Sequence, residues 1–143
     1  MTQSLEKLSQ SVLLLSKLIS ARSSASFEER AATKLQFAAL SFLKENKGAH
    51  VRDLAQDLKL SMPSCTQLLE RMVKAGFVKR SENKQDRRKT DLVLTQEGEK
   101  EHLRAKEKIL SKMQAVFGIL TPQEMEDVIR INQKIIDHLN SHS

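Results

Sequence analysis

Aromatic side chains are nearly missing: the chain has no tryptophan or tyrosine, and its phenylalanines supply only 3% of the residues. The stacking platforms that RNA-binding and single-strand-binding modules use are therefore scarce. Cysteine occurs once, as Cys65, so no intrachain disulfide can form and a reducing cytoplasm is the expected compartment. With only four glycines, loops suited to catalysis are few. No Gly-rich phosphate loop and no nucleophile, base or metal constellation of recognisable spacing is present, so neither an enzyme nor a bound cofactor or metal is expected. Long apolar runs are lacking as well. Leu13-Leu14-Leu15 lies among serines and lysines and is far too short to span a bilayer, and no charged-then-apolar leader opens the chain, so no membrane association is expected.

What is present suits one folded domain. The 143 residues are 39% hydrophobic and 29% charged, enough apolar material for a core and too much for a disordered chain. The net charge is +6, and its distribution is uneven. Between Lys79 and Lys89, six cations face only Glu82 and Asp86, so this short segment carries +4 of the total. A concentrated cationic turn points to a polyanionic partner.

Helix signals dominate both ends. Leu5, Leu8, Val12, Leu15 and Ile19 recur at steps of three and four, the spacing of an apolar seam along a helix. Ser26-Phe27-Glu28-Glu29 fits a capping box opening a second helix, with Leu35, Ala38, Ala39, Phe42 and Leu43 inward and an end near Asn46-Lys47-Gly48. Near the other end, Thr121-Pro122-Gln123-Glu124 combines an N-cap threonine, an N1 proline and an N3 glutamate. The helix it opens carries a second seam of Met125, Val128, Asn132, Ile135 and Leu139. Between them Thr95 is the expected N-cap of a long helix carrying Leu103, Leu110, Met113 and Phe117.

The middle of the chain changes grain. Val51 to Leu58 reads as a short helix, and Ser61 as the N-cap of another that runs to Ala75. Pro63 falls in that helix's first turn, where its missing amide has no intrahelical partner to lose. Gly76 supplies a left-handed stop, after which Phe77-Val78-Lys79-Arg80 and Asp91-Leu92-Val93-Leu94 read as paired strands. The cationic segment is then the tip of a hairpin.

Two short helices joined by a tight turn and followed by a basic hairpin form a winged helix-turn-helix. On the second helix, Cys65, Leu68, Leu69 and Met72 share the inward face, leaving Met62, Pro63, Ser64, Thr66, Gln67, Glu70 and Arg71 outward. Small polar groups there can meet base edges or phosphates, and Met62 and Pro63 can touch thymine methyls. The plainer alternative is a solvated helix face. A charged turn can likewise serve solubility alone, but adjacent like charges repel unless something compensates, and a phosphate wall does so.

The stretch "LAQDLKLSMPSCTQLLERMVKAGFVKRSENKQDRRKTDLVLTQEGEK" resembles the MarR family of bacterial winged helix-turn-helix regulators. The family's wing pattern D-x-R-x5-L-T appears here as Asp86, Arg88, Leu94 and Thr95. The resemblance implies a mainly α fold with a small β-hairpin wing and N- and C-terminal dimerisation helices. It implies one MarR-like domain over 1–143, with a DNA-binding region at 30–95 and helical dimerisation regions at 1–25 and 96–143. It further implies a cytoplasmic homodimer, more often a repressor than an activator, bound to a pseudo-palindromic double-stranded operator. Ser61, Met62, Pro63, Ser64, Thr66, Gln67 and Arg71 would form the recognition-helix contacts. Lys84, Asp86, Arg87, Arg88 and Lys89 would form those of the wing, with Arg88 in the minor groove and positioned by Asp86. A small-molecule effector, often a lipophilic anion in this family, would enter a crevice near Arg22, Phe37 and His102.

Two departures from the family stand out. Lys59 occupies a turn position where relatives often have glycine, so a left-handed conformation there would cost about 1 kcal/mol. Met62 and Gln67 replace positions often cationic in relatives, so the operator sequence does not carry over. Other readings attach to single residues. Cys65 can be a redox sensor or a small core residue, and its inward position favours the core. His138 and His142, spaced i and i+4 near Asp137, can be metal ligands or solvated groups near the chain's end. Asn132 can fix register within the seam or stand half exposed. The whole module can also be a protein-binding winged helix whose basic tip faces an acidic partner.

Overall fold

Helix starts in this chain are written in its caps. The computed structural model describes residues 1–142 and begins with α1 (Thr2–Ala21) and α2 (Phe27–Glu45). Ser26 Oγ accepts from Glu29 N at 3.1 Å, and Glu29 Oε2 accepts from Ser26 N at 3.3 Å, the reciprocal box expected. Two short helices follow, α3 (Val51–Leu58) and α4 (Met62–Lys74). Lys59 joins them in the left-handed region at φ 55 and ψ 42, the conformation its glycine-like position foreshadowed and the sole non-glycine positive φ among the described residues.

Gly76, at φ 84, turns the chain out of α4 into an antiparallel hairpin of β1 (Val78–Glu82) and β2 (Thr90–Leu94). The register pairs Val78 with Leu94, Arg80 with Leu92 and Glu82 with Thr90. The pairing begins at Val78 rather than Phe77, because Phe77 N donates back to Met72 O and so still belongs to the end of α4. Then come α5 (Gln96–Phe117) and α6 (Pro122–Ser141). Thr95 Oγ1 caps α5 by accepting from Gly98 N at 3.0 Å, and Thr121 caps α6 with the full box to Glu124.

The described chain forms two compact units, Met1–Lys106 and Glu107–Ser143, and the boundary falls within α5. The core of the first is built from α2, α3, α4 and the hairpin: Leu40, Leu43, Leu54, Cys65, Leu68, Leu69, Met72, Val78 and Leu92 are all buried. Leu40 joins Ala39 and Leu43 as the inward edge of α2. The helices at the two ends contribute nothing buried, since α1 and α6 have no buried residue; α5 buries Gly98 and His102 while Leu103, Leu110 and Met113 are exposed. No described helix is long and apolar enough to cross a membrane.

Candidate nucleic-acid interface

Two surfaces of the first unit carry the expected contact residues. On α4 the inward and outward faces separate as the spacing requires, with Cys65, Leu68, Leu69 and Met72 buried. Ser61, Met62, Pro63, Ser64, Gln67 and Arg71 are exposed and Thr66 is half-buried. Ser61 does two jobs at the helix start. Its Oγ accepts from Ser64 N at 3.3 Å and donates to Ser64 Oγ at 2.9 Å. The Ser64 hydroxyl thus has an acceptor lone pair occupied and its own proton free to donate outward. Arg71 is exposed one turn further on, and among the described residues no ion pair or hydrogen bond links its side chain to the hairpin.

The wing tip is shaped by side chains that cap its own backbone. Asn83 Oδ1 accepts from Gln85 N at 2.9 Å and from Asp86 N at 3.0 Å, and Asp86 Oδ1 accepts from Arg88 N at 3.1 Å. Backbone bonds from Lys89 N to Asp86 O and from Asn83 N to Lys89 O close the turn. Asp86 therefore places Arg88 mainly through the backbone, since the two side chains approach only to 4.0 Å. Both guanidinium groups stay open to solvent: the Arg88 side chain is 96% exposed and that of Arg87, 3.9 Å from Glu82, is 90% exposed. Lys84 and Lys89 are exposed beside them. Ion pairs this exposed contribute little to folding, so the arginines are available to an outside anion.

A tie the sequence did not announce anchors the wing. Leu92 N donates to Ala49 O at 2.8 Å, which fastens β2 to the turn between α2 and α3. The adjacent His50 brings Nδ1 to 3.1 Å from Thr90 O and 3.5 Å from Asp91 Oδ1, and Asn83 Nδ2 donates to the same Asp91 oxygen at 3.0 Å. The only advance signal was an imidazole just before Val51, which does not specify a partner forty positions away.

The remaining candidates separate clearly. Cys65 is fully buried, its Sγ 3.8 Å from Val51 O, and burial pushes its thiol pKa up, the direction opposite to a reactive thiolate. Phe37 and His102 come together, their rings parallel within 2° and 5.1 Å apart, with Ser41 Oγ 3.0 Å from His102 Nε2. Burial, then the positive charges of Lys44 and Lys106, holds the His102 pKa below the ordinary histidine value. Arg22 is exposed at the C-cap of α1. His138 and His142 tilt against each other at 4.5 Å, and no group of three potential metal ligands occurs among the described residues.

Known proteins resemble this chain in sequence and fold. The MarR family profile matches residues 32–90. The HTH-type transcriptional regulator FarR of Neisseria gonorrhoeae is 34% identical over 112 residues, which cover 76% of this chain and 77% of FarR. Among solved structures, AbsC, a MarR family transcriptional regulator from Streptomyces coelicolor, superposes with a TM-score of 0.74 at 21% identity, covering 99% of this chain and 97% of AbsC. The transcriptional repressor CouR, solved bound to a 23-mer DNA duplex, superposes with a TM-score of 0.61 at 24% identity, covering 71% of each chain.

Proposed function

The chain belongs to the MarR family of DNA-binding, non-enzymatic transcriptional regulators, and from that premise we propose that it is a cytoplasmic homodimeric repressor of a pseudo-palindromic operator. In this reading α4 enters the major groove with Ser61, Met62, Pro63, Ser64, Thr66 and Gln67 toward the bases, while Arg71 meets a phosphate. Arg88 enters the neighbouring minor groove, and Lys84, Arg87 and Lys89 line the backbone. The observation that carries it is the wing: a turn built by Asn83 and Asp86 that presents an almost fully exposed Arg88. Solvent-exposed cations held only in long, weak ion pairs have their natural complement in the phosphate backbone, whose narrow minor groove concentrates negative potential.

The apolar seams support the dimer. Leu5, Leu8, Val12 and Leu15 of α1 are exposed, as are Ile135 and Leu139 of α6, while Met125 and Val128 are half-buried and Asn132 is exposed among them. Apolar stripes of this extent call for a cover, and a second copy supplies identical ones. Two such wings would meet half-sites about 34–36 Å apart. Release by an effector rests on the family resemblance. Phe37 and His102 stack on one another, so a lipophilic anion taking the place of either ring would have to part them, and it would shift the equilibrium only by binding one arrangement better than the other.

Selection of duplexes from a random library at fixed salt, paired with a solution mass measurement, tests the reading. An enriched inverted repeat bound by a species of twice the chain mass is expected. A monomer, or binding without sequence preference, would point instead to a protein-binding module.

A further inference from the structure

On the α4 face already assigned to DNA, the first two turns carry no charge: Met62 to Leu69 reads Met-Pro-Ser-Cys-Thr-Gln-Leu-Leu, and the first cation is Arg71. The bidentate reader of guanine is arginine or lysine, presenting donors to O6 and N7. Neither is available here. Gln67 is exposed one turn beyond Pro63, and its amide offers both a donor and an acceptor, the pair that matches adenine N7 and N6. Met62 is 48% exposed, an apolar group at the helix start that can cover a thymine methyl. Ser64 adds a directional element. Because its oxygen accepts from Ser61, its remaining proton can donate to purine N7, guanine O6 or thymine O4 but not to the cytosine amino group, so the A·T preference rests on Gln67 and Met62.

From this pattern we infer that the recognition helix reads A·T base pairs at the centre of each half-site, with Gln67 on an adenine and Met62 against a thymine methyl. The inference rests on the operator-binding reading above and adds the chemistry of what is read. Glu70 and Lys74 lie further along the same face, beside Arg71, so charge enters only toward the helix's far end.

The test begins with the duplexes enriched by the full chain at fixed salt. The expected consensus has A·T pairs at the centre of each half-site. Replacing their thymines by uracil one at a time removes only a methyl group, and at the thymine that Met62 covers it should weaken wild-type binding about fourfold, the equivalent of one buried methyl. The Met62→Ala protein should be indifferent to that replacement. The Gln67→Arg variant should shift the enriched base at its position toward guanine, with a preference of about fivefold or more. Circular dichroism of both variants checks that these exposed changes leave the fold intact. An enriched repeat with G·C at those positions, or wild-type binding that ignores uracil, overturns the A·T inference while leaving the operator reading standing. No enriched sequence at all overturns the operator reading, and the inference with it.

Discussion

Arg88, proposed to meet DNA, and Gly98, packed against the hairpin, set binding and folding apart at the scale of single residues. The Arg88 guanidinium is almost free of the protein, so its removal should cost the fold nothing. Arg88→Ala should weaken operator binding by about 1–3 kcal/mol while the melting temperature stays put; unchanged affinity in a salt-controlled titration would remove the wing from the mechanism. Gly98 is the reverse case. It sits buried in the first turn of α5, where an added Cβ would press on the Phe77 carbonyl oxygen and come within 2.7 Å of Leu94 Cδ1. Backbone cannot swing aside as a side chain can, so Gly98→Ala should destabilise by about 1–3 kcal/mol. A chemical denaturation midpoint matching wild type would mean that α5 can shift away from the hairpin at little cost. These two residues also mark what was legible in advance. Arg88 stood within a spacing pattern and on a charged turn, whereas Gly98 looked like any helix glycine, because its main constraint is the Phe77 carbonyl, which only the fold brings near.

At the scale of elements, the legible features were those settled by neighbours in sequence. Ser26, Ser61, Thr95 and Thr121 cap their helices because a cap reaches only three residues ahead, and Gly76 turns where a left-handed residue is needed. The ties between elements were not legible, since periodicity names a face but not what it meets. His50 is the main example, a helix-start residue whose ring reaches the end of β2 next to the wing tip. Losing it should free the wing's tilt more than it harms the core, because Leu92 N still donates to Ala49 O. His50→Ala is therefore expected to weaken operator binding by about 1 kcal/mol, the worth of a hydrogen bond. The informative measurement is the double-mutant cycle with Arg88→Ala. If His50 aims the wing, Arg88→Ala costs less once His50 is gone; strictly additive losses would mean that the hairpin holds its own direction.

For the whole molecule, one buried group, His102, is expected to make stability depend on pH in the range near neutrality. His102 packs flat on Phe37 beside Ser41, and burial together with Lys44 and Lys106 disfavours its charged form in the folded chain. In the unfolded chain the same ring titrates near its ordinary value of about 6.5. The folded pKa is the lower of the two, so below about 6.5 the unfolded state binds more protons and gains on the folded one. Stability should be full above that pH, fall as pH drops toward the folded-state pKa, and level off below it. One group limits the slope to about 1.4 kcal/mol per pH unit. Glu124 behaves in the opposite chemical sense: the backbone and hydroxyl of Thr121 hold its pKa below the ordinary carboxylate value, so its contribution persists until pH falls through the carboxylate range. The two effects separate along the pH axis. Urea midpoints measured between pH 7.5 and 5 at fixed protein concentration should decline for wild type and stay nearly flat for His102→Gln, which keeps a polar group near Ser41 but cannot take up the proton. A variant that declines as steeply as wild type would move the titrating group elsewhere and leave the Phe37 and His102 contact as packing alone.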